Sequence, residues 1–330
     1  MKKLLAIAAV MVFAALPVRA QFDQINSLLQ GSKDDANYLM NGYMAPMLQG
    51  IGNGLNQGWY NTARPHKFFG FDATVTVSVI TIPTAEQTFK VDNSQLQSLQ
   101  LVSPADGNVP TIVGPETAPQ FQFKAPLSGT LNGPGGIPGL DQLPVRGVPI
   151  PIANVGIGLF KGTEVKLRYV PAMEFGGGAN IEMMGGAIMH DIKQHIPVVK
   201  NLPFDLSILV GYTKFNAGYT IDATTNQKVE LGATAMTAQA IVSKKLAILT
   251  VYAAAGYNKS DVTLAAKGDY QMSSGGITTT ITDPVSLSAA SSGARLTGGV
   301  RLRLAILNIH ADYTLQKYPT ISAGVGVGLR

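Results

Sequence analysis

The sequence predicts an all-β fold, a transmembrane antiparallel β-barrel of about 14 strands (range about 12–16) preceded by a short N-terminal helical plug. Three observations carry this reading. Only 14% of the 330 residues are charged, against about 25% in a soluble domain. After the first 20 residues no apolar run approaches the roughly 18 residues of a membrane-spanning helix. From Phe68 onward apolar and polar residues alternate in runs of about ten, the length at which a tilted strand crosses a bilayer.

Residues 1–20 read as a signal peptide. Met1-Lys2-Lys3 is a positive start, Leu4 to Leu16 an apolar stretch, and Val18-Arg19-Ala20 places small residues at positions −3 and −1 of a cleavage site. Its removal takes Lys2, Lys3 and Arg19 and no acid, so the formal charge falls from +5 to +2. That balance argues against a nucleic-acid partner. With no cysteine, disulfides, thiol catalysis, cysteine zinc sites and a lipoprotein anchor are excluded. The expected location is the outer membrane of a Gram-negative cell.

Residues 21–66 are expected to form the plug. Phe22, Ile25, Leu28 and Leu29 recur at helical spacing. Ser32 stands three positions before Asp35, as in a capping box, and Asp34 and Asp35 suit a helix N-terminus. Leu39, Tyr43 and Met47 form one stripe; Met40, Met44 and Leu48 form another. Pro46 and the run Gly50, Gly52, Gly54 are expected to close the helix. Two such helices cannot bury their own apolar faces, so they are expected in the lumen, with the polar lumen groups bonding their polar faces, Asp34 and Asp35 included. Tyr43, Met47 and Trp59 are candidate contacts for a hydrophobic ligand there; Trp59, the one tryptophan, suits equally a seal of the plug against the lumen wall.

Residues 67–330 are expected to form the barrel. In the first run Val75, Val77 and Val79 alternate with Thr74, Thr76 and Ser78; Val77 is assigned to lipid and Thr76 to the lumen. Fourteen strands are placed at 68–82, 86–102, 119–131, 150–160, 163–173, 178–192, 203–221, 230–243, 246–258, 260–271, 277–289, 293–307, 308–316 and 320–330. Short turns at Lys161-Gly162, Lys244-Lys245 and Leu307-Asn308 fall on one side, opposite a long loop containing Gly133-Pro134-Gly135-Gly136-Ile137-Pro138-Gly139.

Glu164, Lys166 and Arg168 share one polar strand face, and Arg301 and Arg303 share another. They suit a charged constriction or solute site, or ion pairs that brace the barrel or fix the plug. His310 and Asp312 share a face about 7 Å apart. That suits a lumen hydrogen-bond network, or an acid–base pair if a neighbouring strand supplies a serine. His190 and His195, five apart, are assigned to opposite strand faces and so to no shared metal. There is no GxGxxG, GxxxxGK[ST], GxSxG or HExxH; no cofactor, metal or catalytic residue is expected, and the chain is read as a non-enzyme.

The segment Gly58-Trp59-Tyr60-Asn61-Thr62-Ala63-Arg64-Pro65-His66-Lys67-Phe68-Phe69-Gly70-Phe71-Asp72 resembles an uncharacterised family of predicted outer-membrane proteins from Bacteroidota, over nearly the whole mature chain. The architecture, a helical plug followed by about fourteen strands, is similar to the long-chain fatty-acid transporter family. In place of that family's Asn-Pro-Ala hatch motif the chain has Asn61-Thr62-Ala63, and it ends in Arg330 where many barrels end in an aromatic. The resemblance implies passage of small hydrophobic or amphipathic molecules through a plugged lumen. The alternative is a structural or surface-binding barrel acting through loops 103–149 and 259–292. The partners implied are outer-membrane lipids, a hydrophobic small-molecule ligand and the barrel-assembly machinery.

Overall fold

The structure is a computed structural model that describes residues 32–126, 128–137, 147–175, 178–198, 200–222, 224–274 and 277–329. The signal peptide and the first expected plug helix lie outside the described residues. Among the described residues one α-helix, α1 (Lys33–Gly54), precedes seventeen strands: β1 (Phe71–Thr81), β2 (Thr88–Lys90), β3 (Leu99–Ser103), β4 (Asn108–Pro110), β5 (Gln120–Phe123), β6 (Thr130–Asn132), β7 (Gly147–Gly158), β8 (Thr163–Phe175), β9 (Ala179–Asp191), β10 (Asp205–Asp222), β11 (Gln227–Leu246), β12 (Leu249–Lys267), β13 (Asp269–Ser274), β14 (Ile277–Thr282), β15 (Val285–Leu304), β16 (Leu307–Leu315) and β17 (Thr320–Leu329). Ten of them, β1, β7–β12 and β15–β17, close into an antiparallel barrel in which β17 pairs with β1 from Phe71↔Leu329 to Ile80↔Thr320.

The barrel therefore has ten strands, not about fourteen. The stretches 86–102 and 119–131 are not wall. They fold into two small sheets, β2–β4 and β3–β5–β6, within the connection between β1 and β7. The strands expected at 246–258 and 260–271 form one long β12, and those at 277–289 and 293–307 form most of one long β15; β13 and β14 make a hairpin between them. Alternation reports a pleat but not which sheet a strand joins, and Tyr257-Asn258-Lys259-Ser260 holds no Gly or Pro to mark a break or its absence.

The connections 158–163, 246–249 and 304–307, with the longer 191–205, lie at the end where β1 begins and β17 finishes, here the turn end. The opposite end, the outer mouth, has the longest connections, 81–147 and 267–285, and three short ones, 175–179, 222–227 and 315–320. Val77 is exposed on the outside, and Thr76 is fully buried in the lumen, as the alternation required.

The face polarity inverts partway along the tall strands. On β12 the outward residues are Val251, Ala253, Ala255 and Tyr257 toward the turn end, then Lys259, Asp261 and Thr263. Its inward residues change the other way, from Thr250, Asn258 and Ser260 to Val262 and Leu264. On β11 the outward change falls between Met236 and Thr234, on β10 between Tyr212 and Lys214, and on β15 between Ala294 and Ser292. Ladder partners put these changes at one level: Tyr212↔Met236, Met236↔Lys259 and Lys259↔Ser292. Below that line the barrel is apolar outside and polar inside; above it, polar outside and apolar inside. From Ala294 to Leu304 the outward apolar run is about 25 Å tall at a normal strand tilt, the height of the apolar band of a membrane barrel. Tyr169, Tyr212, Tyr257 and Tyr313 are exposed on this apolar face.

Above the line, α1 stands in the lumen and the 82–137 connection caps the mouth. Leu39, Tyr43 and Leu48 of α1, Leu99, Val109 and Phe121 of the cap, and Leu231, Val262 and Leu287 of the wall belong to one buried cluster. The helix starts at the outer mouth, where Lys33 reaches Thr282 O and Asn37 reaches Pro284 O, and descends. It ends at Gly54, the last of the expected closing run, but continues through Pro46, Gly50 and Gly52. Tertiary packing overrides propensity here: a side chain on Gly52 would collide with Ser260, and one on Gly54 would approach Ile80 and Ile150 to 2.7 Å. These glycines let a helix fit inside ten strands.

Ala255→Arg, midway along the outward apolar run of β12, is expected to cost about 2–4 kcal/mol and block assembly. Thr263→Arg, on the same face of the same strand above the inversion, is expected to fold normally. The heat-induced band shift of the barrel on a gel distinguishes them, and equal behaviour would refute the boundary.

Candidate functional site

α1 ends with an unusual deficit. No basic residue occupies its last turn; the carbonyls of Ile51, Asn53 and Gly54 accept from the amides of Leu55, Asn56 and Gln57, and the chain from Leu55 runs on as an irregular segment through the polar half of the lumen, where its own carbonyls need donors. The wall supplies them from two sides. Arg168 of β8 donates through Nη1 to Leu55 O at 2.6 Å and through Nη2 to Gln57 O, and its Nε donates to Asn154 at 2.5 Å. Arg295 of β15 donates to Asn56 O at 3.1 Å and to Gln57 Oε1 at 2.7 Å. The positive charges complement the negative end of the helix dipole. The Arg168 guanidinium also lies 3.4 Å over the Trp59 ring. Trp59 is 2% exposed and fits because a side chain at Gly211 would meet its indole at 2.9 Å.

Below the clamp the segment is tied to the wall on several sides. Asn154 Nδ2 donates to Gly58 O at 2.6 Å, Tyr60 Oη to Gln239 Oε1 at 2.7 Å, Ala63 N to Ser243 Oγ at 3.0 Å and Ser207 Oγ to Ala63 O at 2.6 Å. At the turn end Glu164 Oε2 accepts from His66 N at 2.9 Å, and Lys166 Nζ stands 2.5 Å from Glu164 Oε1 and 3.8 Å from Asp72 Oδ1. His66, Asp72 and Glu164 place metal-type ligand atoms within 4.8 Å of one another. Lys166 already holds the cation position against both carboxylates, and Arg301 couples electrostatically to the same pair, so the charges of this group balance without an ion.

The expected lumen residues thus take different roles. Glu164, Lys166 and Arg168 fix the segment. Arg301 pairs in register with His310, whose Nε2 meets Thr76 Oγ1 at 3.2 Å. Asp312 does not join His310; it accepts from Tyr252 Oη at 2.9 Å, which leaves no hydroxyl–imidazole–carboxylate chain. Arg303 lies at the turn-end rim and donates to Ala305 O. Tyr43 is buried and bonds Gly135 O in the cap, and Met47 is half-buried. The pocket that Tyr43 shares with Leu39 and Phe121 holds about 10 Å³, far below a solute's size, because cap side chains fill the space beside the helix. His190 and His195 do meet, Nε2 to Nε2 at 3.1 Å, because β9 ends at Asp191 and His195 sits in the following turn. Two ring nitrogens facing head-on at that distance form a hydrogen bond. Arg295, Gln57, His66 and Asp72 were not singled out from the sequence. Arg295 carried a signal, an arginine on the inward register of β15 shared with Thr297 and Arg301.

At the upper end, Ser32 caps α1 by accepting from Asp35 N at 3.1 Å. Asp34 and Asp35 bond the cap rather than lumen wall groups: Asp34 Oδ2 accepts from Gln97 Nε2, and Asp35 accepts from Gln97 N at 2.6 Å, Ser98 N and Oγ at 2.7 Å and Leu99 N at 2.9 Å.

A family model, described as a family of unknown function (DUF6588), matches residues 1–329. The chain belongs to this family. No curated protein matches the DUF6588 chain significantly. Among solved structures it is similar to the translocator domain of the autotransporter NalP from Neisseria meningitidis (10% identity, 86% of this chain and 93% of that one, TM-score 0.30). It is also similar to the N-terminal β-barrel domain of Pseudomonas aeruginosa OprF (12%, 51% and 96%, 0.23) and to Yersinia pestis Ail (8%, 78% and 97%, 0.25). Likeness at this level carries no argument about function.

Arg168→Ala leaves the carbonyls of Leu55 and Gln57 without their donor and is expected to cost about 3 kcal/mol. Arg168→Lys keeps the charge but not the fork and is expected to fall between. Limited proteolysis read by mass spectrometry should show cleavage at 55–66 in the order Ala, Lys, parent.

Burial pushes the Asp35 carboxyl up, but the bonds from Gln97, Ser98 and Leu99 outweigh it and hold it below the usual carboxylate range. A lowered folded pKa stabilises the docked cap above the unfolded value, and this contribution is lost as the pH falls through the folded one. Amide-exchange protection at Gln97–Leu99 is therefore expected to fall on acidification below about pH 4, and Asp35→Asn should remove that dependence.

Proposed function

We propose that this DUF6588 protein is an outer-membrane anchor that presents its folded cap at the cell surface, with a lumen permanently occupied by its own N-terminal segment. The observation that carries the reading is the inversion of face polarity at one level along the four tallest strands, β10, β11, β12 and β15. An apolar exterior about 25 Å tall needs hydrocarbon around it, while the polar exterior above needs water. Export by the N-terminal signal, contact with outer-membrane lipids and insertion by the barrel-assembly machinery belong to this reading. It is non-enzymatic, supported by the enclosed lumen and by the separation of Asp312 from His310.

Passage of hydrophobic or amphipathic molecules is the second reading. In its favour, the lower lumen is lined by small polar groups such as Thr237, Ser243 and Thr297, so a hydrated path would exist once the segment left. The shared core of α1, cap and wall favours the first. The fatty-acid transporter resemblance rested on about fourteen strands, and ten leave no lumen beside the helix.

In planar bilayers the parent protein is expected to be silent, and Arg168→Ala/Arg295→Ala to show intermittent conductance steps. Steady conductance of the parent, or its uptake of a fluorescent fatty acid into vesicles, would replace the anchor reading by transport.

A further inference from the structure

The turn end carries a surface that neither the seal nor the cap uses. Its tips are large apolar side chains: Phe69 is 76% exposed, Phe160 67%, Ile248 55% and Ile306 54%. Phe160 stacks on Phe68, with ring centroids 4.2 Å apart. Two of these turns are the same tetrapeptide, Leu246-Ala247-Ile248-Leu249 and Leu304-Ala305-Ile306-Leu307. Each holds its alanine in the left-handed region, at φ 53° and 55°. Glycine or asparagine relieves that strain in a tight hairpin; alanine followed by isoleucine does not. The turn residues are thus selected for apolar character at the expense of turn geometry.

Cations surround these tips. Lys67, Lys161, Lys200, Lys244 and Lys245 are exposed at this end, while the acids of the same region among the described residues are withdrawn: Asp191 and Asp205 are half-buried, and Asp72 and Glu164 are buried in the lumen. On β12 and β15 the outward apolar band runs into the turns, as Val251 leads to Ile248 and Val300 to Leu304 and Ile306; on β11 Lys244 enters it in register with Val251. The tips therefore lie at the edge of the hydrocarbon, and the lysines lie at the depth of the headgroups, where their stems reach across apolar surface and their ammonium groups meet phosphate.

We infer that the turn end is a collar that binds anionic phospholipid headgroups of the leaflet surrounding it. The apolar tips set the depth and the lysines select the charge. The inference rests on the membrane-spanning reading above and adds a ligand class to a face that reading leaves unassigned.

The test uses the full chain, folded in detergent and transferred to bilayers of phosphatidylcholine alone or mixed with phosphatidylglycerol, with co-released lipid quantified by mass spectrometry. The parent should retain phosphatidylglycerol about fivefold or more above its bulk share. Lys67→Gln/Lys161→Gln/Lys244→Gln/Lys245→Gln should lose this enrichment while keeping the barrel's heat-induced band shift. Lys228→Gln/Lys259→Gln, above the polarity inversion, should keep it. Millimolar inorganic phosphate should not compete. Equal retention of both lipids by an inserted parent, unchanged enrichment in the quadruple variant, or displacement by inorganic phosphate would each overturn the collar. A protein that fails to enter phosphatidylcholine bilayers at all would instead overturn the membrane reading.

Discussion

The structure depends on how the carbonyls of residues 55–57, just past α1, are satisfied. A chain that leaves its helix inside a barrel cannot turn to water for these acceptors, and α1 has no cation of its own in the last turn. Arg168 and Arg295, from well-separated strands, take that place. Each guanidinium has several fixed donors, so each can span a carbonyl and a neighbouring side chain at once. The clamp fixes the depth of the helix, and the helix depth sets which residues above it meet the cap. Glycines at positions 52 and 54 complete the fit by removing the side chains that would keep the helix off the wall.

The inversion of polarity gives the two halves of the wall different tasks. Below it, burial inside the barrel is polar, and hydrogen bonds do the sorting: Asn154, Arg168, Ser207, Gln239, Ser243 and Arg295 each hold the segment, and groups such as His310 with Thr76 and Asp312 with Tyr252 bond one another. Above it, burial is apolar, and a core of ordinary protein type joins helix, cap and wall. The upper half is thus a water-soluble domain built on strands that continue into the lower half. The four longest wall strands, β10, β11, β12 and β15, run through both halves.

Much of this was legible in the sequence. Period-two alternation gave the all-β class, the facing of Thr76 and Val77, and the inward orientation of Glu164, Lys166 and Arg168. The capping role of Ser32 followed from its spacing to Asp35. The strand number was not legible, because Leu99–Ser103 and Gln120–Phe123 alternate as wall strands do while pairing with each other in the cap. The continuation of α1 past Pro46 was hidden for a related reason: local preference disfavours it, and only the enclosing wall supplies the compensation. The clamp was half visible. Arg168 stood on a recognisable polar face, but its partners are backbone carbonyls, which have no sequence signature.

The direction of α1 bears on how the molecule is put together. Its first residue lies at the outer mouth, and the chain leaves its last turn toward β1 at the opposite end, so the segment is a thread through the ring rather than a stopper resting in it. A thread that is continuous with the first wall strand cannot fall out at the turn end without drawing its whole length back down past the two arginines. Nor can it easily be inserted after the ring is complete. The simplest order of events is that the seam between the first and last strands, ten residue pairs from Phe71↔Leu329 to Ile80↔Thr320, zips last and encircles a segment already in place. The occupant of the lumen is then a template for the closure of the wall.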